Sequence, residues 1–584
     1  MKRTHTNGEL RQSDVNSEVT LVGWVSKKRN FGSIIFIDLR DRYGLTQLVF
    51  NEEEIPEANL LKSEYLIEVK GIVEQRQEAN DKLETGQIEV KVSELKLINK
   101  AKQSPLLIQD KTDALEDTRM KYRYLDLRRP IMQKRLIERA KMTSAMRRFL
   151  DNSEFIEIET PMLTKSTPEG AREYLVPSRV HPGEFYALAQ SPQIFKQLLM
   201  ISGFERYYQV ARCFRDEDLR ADRQLDFTQV DIEVSFLEEE EFQSLIEEMM
   251  KEVLASVYQK DLVTPFRRVP FDEALNSYGS DKPDVRFDWK LIDLNKVFVN
   301  SEFKVFSDVL ETKDGAIKAL VIKNGADHTR KEIDSLTDLA KKYGAKGLVT
   351  LKYQDNELSG SALKFFSEQE QKDLIETTKV ENEDLICIVA SDWETTCNSL
   401  GALRLHCRDK YELVDKEELA FVWVTDFPMF ELNEDSNRLV ARHHPFTRPK
   451  VDSLEQLSLD PLSVKAYAYD LVLNGFEVAG GSLRIYDAEM QSKIFELIGF
   501  TKEQIETRFG FFIDAFNYGT PPHGGIAFGL DRLAMVLTGS DSIRDVIAFP
   551  KNASARDPLT NAPTPVGKDV LEELHLEIVD QKNQ

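Results

Sequence analysis

Three observations predict a multidomain α+β fold. The N-terminal part holds five strand-like runs, with a short helical piece after the third. Further on, Ala211 to Phe236 reads as two strands around a charged loop. In its second arm Phe227, Thr228, Val230, Ile232 and Val234 interleave with Gln229, Asp231 and Glu233, a period of two. Later still, residues 287–415 mix apolar strand-like runs with amphipathic helices. The expected organisation is a barrel over 1–105, a linker over 106–133, a core region over 134–286, an inserted α+β segment over 287–415, and the rest of the core over 416–584 with a C-terminal tail.

The barrel rests on EVTLVGWV, SIIFIDLRD, LTQLVF, YLIEVKGIVEQ and QIEVKVSELKLI, with EEIPEANLLK between the third and fourth. That is the element order of an OB-fold. Such barrels bind single-stranded nucleic acid by stacking bases on aromatics beside a basic groove. Phe36 falls on the second strand and Gln47 on the third, and Lys27 to Phe31 are expected in the loop between the first two strands. Alternation alone favours Phe36 as a core residue.

In the core region, residues 132–150 have helical period and Asp151-Asn152 is a stop. Residues 155–160 alternate as a strand that ends at Pro161. Thr167-Pro168-Glu169-Gly170-Ala171-Arg172 reads as an ordered loop. Ser191 is a candidate helix cap with Pro192 in the first turn. Gln193 and Lys196 then share one face. In the strand pair, Arg215 and Glu217 are two apart and share a face with Gln229, Asp231 and Glu233. Core strands rarely gather so many charges unless the face lines a site. A solvated hairpin face fits the pattern as well.

Residues 441–446, ARHHPF, form a basic loop. Neighbours on an extended chain point to opposite faces, which counts against His443 and His444 sharing a metal. Asn474-Gly475 is a hairpin turn between apolar arms. It places Leu473 opposite Phe476, Val472 opposite Glu477, and Asp470 diagonal to Glu477 on one face. Two carboxylates there suit Mg²⁺. Gly480 and Gly481 allow close approach of a ligand, and Arg484 offers a fork for a carboxylate. The stretch 521–533, PPHGGIAFGLDRL, reads as a strand running into a helix.

Composition narrows the function. The chain has 584 residues and a formal net charge of −23, which taken alone weighs against a nucleic-acid partner. RNA senses charge only within about 8–10 Å, however. Basic groups cluster at Lys27-Lys28-Arg29 and through residues 119–148. No apolar run is long enough to span a bilayer, and MKRTHTNGEL has no apolar signal core, so a cytoplasmic location is expected. The four cysteines, Cys213, Cys387, Cys397 and Cys407, form no C-x-x-C pair, so neither zinc nor a disulfide framework is expected.

Phe214-Arg215-Asp216-Glu217 with its basic loop and long strand, the string QSPQIFKQ at 190–197 and the stretch 521–533 occur in order. Together they resemble the class II aminoacyl-tRNA synthetases, and within them the aspartyl group. The helix, strand and Pro161 resemble that family's dimer-forming motif. The inserted segment resembles the one carried by bacterial aspartyl-type members. The resemblance implies an antiparallel sheet flanked by helices, in a homodimer. It implies activation of L-aspartate by ATP, with Mg²⁺, and transfer to tRNA(Asp).

The same resemblance assigns roles. Arg215, Glu217 and Arg532 would carry catalysis. ATP would be held by Arg215, Asp216, Glu217, Gln224, Glu477, Gly529, Leu530, Asp531 and Arg532, and the metal by Asp470 and Glu477. Aspartate would be held by Glu169, Gln193, Lys196, Arg215, Asp231, His443 and Arg484. Arg29, Phe36 and Gln47 would read the anticodon. Ala527 departs from the usual pattern, which has Gly two residues before Gly529. Lys196 and Arg484 as two cations around one pocket would favour a carboxylate, because neutral asparagine would leave buried charge unpaired. Charging of tRNA(Asn) as well, or a sister enzyme for asparagine or lysine, stays open.

Overall fold

The computed structural model describes residues 2–167, 171–433 and 436–579. The chain divides into two compact units. One takes in the chain up to Ala140 together with Leu219–Ala221 and Arg544–Val566; the other takes in Lys141–Asp218, Asp222–Ile543 and the chain from Gly567 onward.

In the first unit the strands Glu18–Phe31, Ile34–Arg40, Leu45–Asn51, Leu66–Gln75 and Ile88–Asn99 close a barrel, with the fifth strand between the third and fourth. Alternation turns Leu21, Ile35, Ile37, Leu48, Val69 and Val90 inward. Each such side chain contributes about 1.5–3 kcal/mol on burial. Lys27 to Phe31 lie in the first strand, not in a loop. Phe31 pairs with Ile34, so the turn is only Gly32-Ser33, and Gly32 takes φ +63°.

Phe36 is not core. It is half-buried on the outer face, edge-on to the exposed Phe31 ring at 5.8 Å. Arg29 lies opposite Phe36, pairs with Asp38 at 2.8 Å and donates to Gln47 Oε1 at 3.1 Å. Arg29, Phe36 and Gln47 therefore share one outer surface.

Much of the positive run over 119–148 is turned inward rather than toward a partner. Buried Asp126 takes Arg119 at 3.0 Å, Arg123 at 2.7 Å and Arg129 at 2.7 Å. Burial alone would raise the Asp126 pKa, but these guanidinium groups hold it below its ordinary value.

The second unit is built on an eight-stranded sheet. From one edge to the other its strands are Arg267–Pro270, Phe421–Thr425, Ala468–Leu473, Phe476–Leu483, His523–Gly529, Asp226–Ser235, Arg206–Phe214 and Ile156–Glu157. The middle of the sheet is antiparallel, as expected, but the outermost pair at each edge is parallel. Helices Gln193–Ile201, Glu239–Val253, Ala488–Leu497, Lys502–Ala515 and Leu530–Leu537 accompany it. The core includes Val269, Phe271, Val422, Phe446, Phe495 and Phe509.

Two local expectations are corrected. Only Ile156–Glu157 of the stretch 155–160 pairs as strand, because the chain there is a sheet edge meeting just Tyr207 and Tyr208. Pro192, not Ser191, is the cap residue of the helix Gln193–Ile201; Ser191 Oγ still accepts from Gln193 N at 3.3 Å.

The insertion is an antiparallel sheet of Ile292–Asp293, Gly315–Ile322, Asp384–Asp392, Val349–Gln354 and Glu357–Ser359, in that spatial order. The helix Trp393–Lys410 packs against it through Leu400, Leu403 and Cys407, and Asp392 caps its start. Sequence reading did not find this helix: its buried positions do not form one clean apolar stripe. Cys387, Cys397 and Cys407 are buried and free, as expected of core residues. Among the described residues no helix is long and apolar enough to cross a membrane.

Candidate active site

The sheet sets the floor of the site. Pairing puts Asp231 opposite Gln209 on one neighbour and opposite Ala527 on the other, while Ala527 meets Gly480. Glu233 lies against Gly525, where a Cβ would stand 1.8 Å from Glu233 Oε2. Only glycine lets that carboxylate cross the neighbouring strand.

Two cavities open on this floor, with volumes of about 230 and 220 Å³. Gln193, Lys196, Asp231, His443, Asp470 and Arg484 line the first. Glu217, Gln224, Gly529, Asp531 and Arg532 line the second. Arg215, Gln229, Glu477 and Ala527 belong to both. The cavities are therefore neighbours across a shared wall.

Most residues singled out from sequence are thus brought together. Glu169 lies outside the described residues. Asp216 and Leu530 line neither cavity. Asp216 is held aside by its N–H bond to Arg172 O at 3.0 Å, with Tyr174 at 3.5 Å from its carboxylate. Leu530 is apolar and buried in the first turn of its helix. Asp531 reaches the cavity, but its Oδ2 also accepts from Thr228 N at 2.9 Å, which ties helix to strand. Arg215 and Glu217 do not sit on the strand, which ends at Phe214. Pairing continues only as Arg215 N to Leu225 O, 2.8 Å, and Glu217 is in the loop, paired with Arg223 at 3.1 Å.

The charge balance also differs from expectation. Lys196 and Arg484 share the first cavity, but they are not bare. Lys196 Nζ is 2.8 Å from Asp231 Oδ1 and 3.2 Å from Glu233 Oε2. Arg484 forks onto Glu233, Nε to Oε1 at 2.8 Å and Nη2 to Oε2 at 3.0 Å. Its remaining nitrogen, Nη1, donates to Ser482 Oγ at 2.5 Å and His444 Nε2 at 2.8 Å. The two cations are offset by two carboxylates, so preference for an acidic ligand rests on the donors left over rather than on excess positive charge.

Each group's proton affinity follows from this packing. Burial, opposed by Lys196, pushes Asp231 up to about 6. Burial also acts on Glu233, but Arg484 and Lys196 outweigh it and hold Glu233 at about 2. Burial and then Arg442 lower His443 to about 4; burial and Arg484 lower His444 well below its ordinary value. Both imidazoles are neutral at physiological pH.

Several polar atoms stand uncommitted. Asp231 Oδ2 is buried without a hydrogen-bond partner among the described residues. Arg215 Nε is likewise unpartnered, and the guanidinium lies over the Phe227 ring at 5.2 Å. Asp470 Oδ1 is another. Burial and then the nearby Glu477 raise the Asp470 pKa well above its ordinary value. A bulge between Leu471 and Val472 shifts the hairpin so that Asp470 faces Gly480, where a Cβ would meet Asp470 Oδ1 at 2.9 Å and Glu477 Oε1 at 3.5 Å. The two carboxylates share a face as expected, but through a shifted register. Arg532 is committed through its terminal nitrogens only: Nη1 donates to Glu477 O at 2.7 Å and Nη2 is 3.2 Å from Asp222, while Nε is buried without a partner among the described residues.

Sequence reasoning missed several of these groups. Glu233 was legible as part of a polar face but not as the partner of Arg484. His444 was set apart from His443 by the extended-chain argument, yet both reach the cavity, because residues 442–446 are not strand. Nothing in the sequence signals Asp222.

An acid-lined and base-lined double cavity on a largely antiparallel sheet, in a chain that also carries an OB barrel, defines a family. Residues 115–553 match the class II tRNA synthetases (D, K and N), and residues 19–98 match the OB-fold nucleic acid binding domain; the chain belongs to that synthetase family. Among curated relatives, the aspartate–tRNA(Asp/Asn) ligase of Anoxybacillus flavithermus is 52% identical over 99% of each chain. The aspartate–tRNA ligase of Halalkalibacterium halodurans is 53% identical over 99% of this chain and 98% of its own. Asparaginyl-tRNA synthetase from Pyrococcus horikoshii, solved with asparaginyl-adenylate, aligns with TM-score 0.58 at 19% identity, over 94% of this chain and 98% of that one. Aspartyl-tRNA synthetase from Entamoeba histolytica gives TM-score 0.57 at 19% identity, over 94% and 92%. At those identities the solved structures speak to the fold alone.

Proposed function

We propose that this chain activates L-aspartate with ATP, releasing pyrophosphate, and transfers the aspartyl group to the 3′ end of tRNA(Asp). The observation that carries the reading is the uncommitted Arg215 guanidinium on the wall shared by the two cavities. A group there can hold an amino-acid carboxylate and a nucleotide α-phosphate at once.

The first cavity suits aspartate. Its side-chain carboxylate takes Arg484 Nη1, a bond now made to neutral His444, together with a proton of Lys196 Nζ. A carboxylate is the stronger partner for a guanidinium. The ammonium group meets the unpartnered Asp231 Oδ2, with Gln193 beside it, and Glu169 by family resemblance. His443 closes the side. ATP lies along the second cavity, its base toward Glu217 and Gln224 and its outer phosphates toward Arg532, from which they displace Asp222.

The α-carboxylate oxygen of aspartate then attacks the α-phosphorus. The bond to the bridging oxygen breaks, and pyrophosphate leaves with that electron pair. In the second step the ribose 3′-hydroxyl of tRNA attacks the adenylate carbonyl and AMP leaves. No side-chain nucleophile is needed; positioning and charge stabilisation supply the acceleration. Asp470 and Glu477 fit Mg²⁺: two carboxylates face one glycine, and a buried oxygen of one lacks a partner. When bound there, the ion would offset phosphate charge.

The outer barrel face with Arg29, Phe36 and Gln47, and Phe31 beside them, suits unstacked anticodon bases. Exposed Ile156 on the sheet's edge strand, with exposed Met162 and Leu163 a few residues further along the chain, suits a homodimer contact. Four cysteines, none of them in a disulfide, fit a reducing cytoplasm. The names of the relatives favour a second reading of RNA choice. Those of Anoxybacillus flavithermus and Geobacillus sp. are called Asp/Asn ligases, so charging of tRNA(Asn) as well is the alternative.

Aspartate-dependent exchange of pyrophosphate into ATP tests the first step, and charging of purified tRNA(Asp) and tRNA(Asn) tests the second. Protonation of Asp231 near pH 6 gives a further expectation. Its raised pKa means that the folded protein takes up a proton as pH falls through about 6, removing the charge that faces the ammonium group. The KM for aspartate should therefore rise about tenfold per pH unit below that point. Asp231→Asn should show a high KM with no such slope. A KM that stays flat from pH 7 to 5 in the unaltered enzyme would remove Asp231 from this role.

A further inference from the structure

A chain of buried amides runs away from the first cavity. Gln193 lines the cavity and donates from Nε2 to Gln197 Oε1 at 2.9 Å. Gln197 Nε2 is 3.1 Å from His523 Nε2. His523 Nδ1 is 2.8 Å from Pro521 O. All three side chains are buried, and Gln197 is fully so.

The direction of every bond in this chain is forced from its far end. Pro521 O can only accept, so His523 Nδ1 must carry a proton. Burial lowers the His523 pKa, with Arg484 and Lys196 acting the same way against Glu233, so the ring carries one proton, not two. Its Nε2 is therefore an acceptor. Gln197 must then turn its NH₂ to the ring and its oxygen to Gln193. Gln193 in turn must point its NH₂ at Gln197, spending one of its two N–H groups there, and its carbonyl oxygen is turned the other way, toward the cavity. That oxygen has no partner among the described residues.

We propose that His523 is a positioning residue. Through Gln197 it fixes the amide of Gln193 with its oxygen toward the cavity, and so makes that wall an acceptor for the ammonium group of the amino acid. The inference rests on aspartate being the ligand of this cavity. The reverse amide would present two N–H donors to a cation. His523 touches no ligand itself. Its backbone O accepts from Arg484 N at 2.9 Å, a bond that side-chain substitution leaves in place.

The test uses the full-length enzyme in pyrophosphate exchange. His523→Asn keeps a donor for Pro521 O but has nothing at the position of Nε2. His523→Gln restores an acceptor within reach of Gln197. In His523→Asn the KM for aspartate should rise about tenfold or more, while kcat and the KM for ATP stay within about threefold. His523→Gln should recover most of the loss.

Succinate separates positioning from general damage. It has both carboxylates of aspartate and hydrogen in place of the ammonium group. Its inhibition constant should be unchanged in His523→Asn. Should that variant not fold, Gln197→Met breaks the chain one step nearer and should give the same pattern. Equal weakening of aspartate and succinate, or an unchanged KM for aspartate in a folded variant, would overturn the proposal. Absence of aspartate-dependent exchange in the unaltered enzyme would instead overturn the reading of the cavity on which it stands.

Discussion

Arg215→Ala is expected to lower the rate of aspartate-dependent pyrophosphate exchange by about 10³-fold. Arg215 lines both cavities, and in the proposed reaction it is the group that meets both reacting partners. In the transition state negative charge spreads over the α-phosphate oxygens, and a guanidinium placed to meet those oxygens stabilises that charge more than it stabilises the bound substrates. The variant is also a clean one. Arg215 has no ion pair among the described residues and stacks only on Phe227, so its removal leaves no buried carboxylate stranded. Thermal unfolding should move little, while kcat falls and the KM for aspartate changes far less. Exchange at near-normal rate would show that adenylate formation does not pass between these cavities.

Arg484→Lys should raise the KM for aspartate by about 100-fold. Here the choice of variant matters. Alanine would leave Glu233 buried against Lys196 alone, and breaking a buried pair costs about 3–5 kcal/mol in stability. Lysine keeps the charge beside Glu233 but loses the fork. One ammonium group cannot serve Glu233 through two nitrogens and still offer the donor that Nη1 now gives to His444. The KM for ATP should be unchanged, since Arg484 lines only the first cavity. Wild-type KM for aspartate in this variant would mean that Nη1 is not the ligand-facing donor.

Much of the fold could be read from local pattern. The barrel was legible because each of its strands alternates, and alternation is a signal within a single segment. The hairpin around Asn474-Gly475 was legible for the same reason, down to Val472 opposite Glu477. The bulge beyond that point was not, because nothing in the run from Phe476 to Leu483 marks where an extra residue enters. The helix Trp393–Lys410 escaped notice because it is buried on more than one side, which erases the stripe that betrays a surface helix.

The site divides along the same line. Its residue types came from short strings, and nearly all of them meet in the two cavities. Their partners did not, because partnership is a long-range fact: Glu233 and Arg484 are far apart in sequence and join only when the strand His523–Gly529 lies between theirs. The consequence is physical. With Asp231 and Glu233 offsetting Lys196 and Arg484, the cavity is not a sink for any anion. It offers a few fixed donors and, beside them, the unpartnered Oδ2 of Asp231, a geometry that asks for an α-amino acid with an acidic side chain. Discrimination against asparagine then comes from losing charge-assisted bonds to Arg484 and Lys196 rather than from leaving two naked cations.

Pyrophosphate exchange measured side by side with aspartate and asparagine tests this account most directly. A kcat/KM for aspartate at least about 10³-fold above that for asparagine is the predicted result. Equal or better use of asparagine would contradict it.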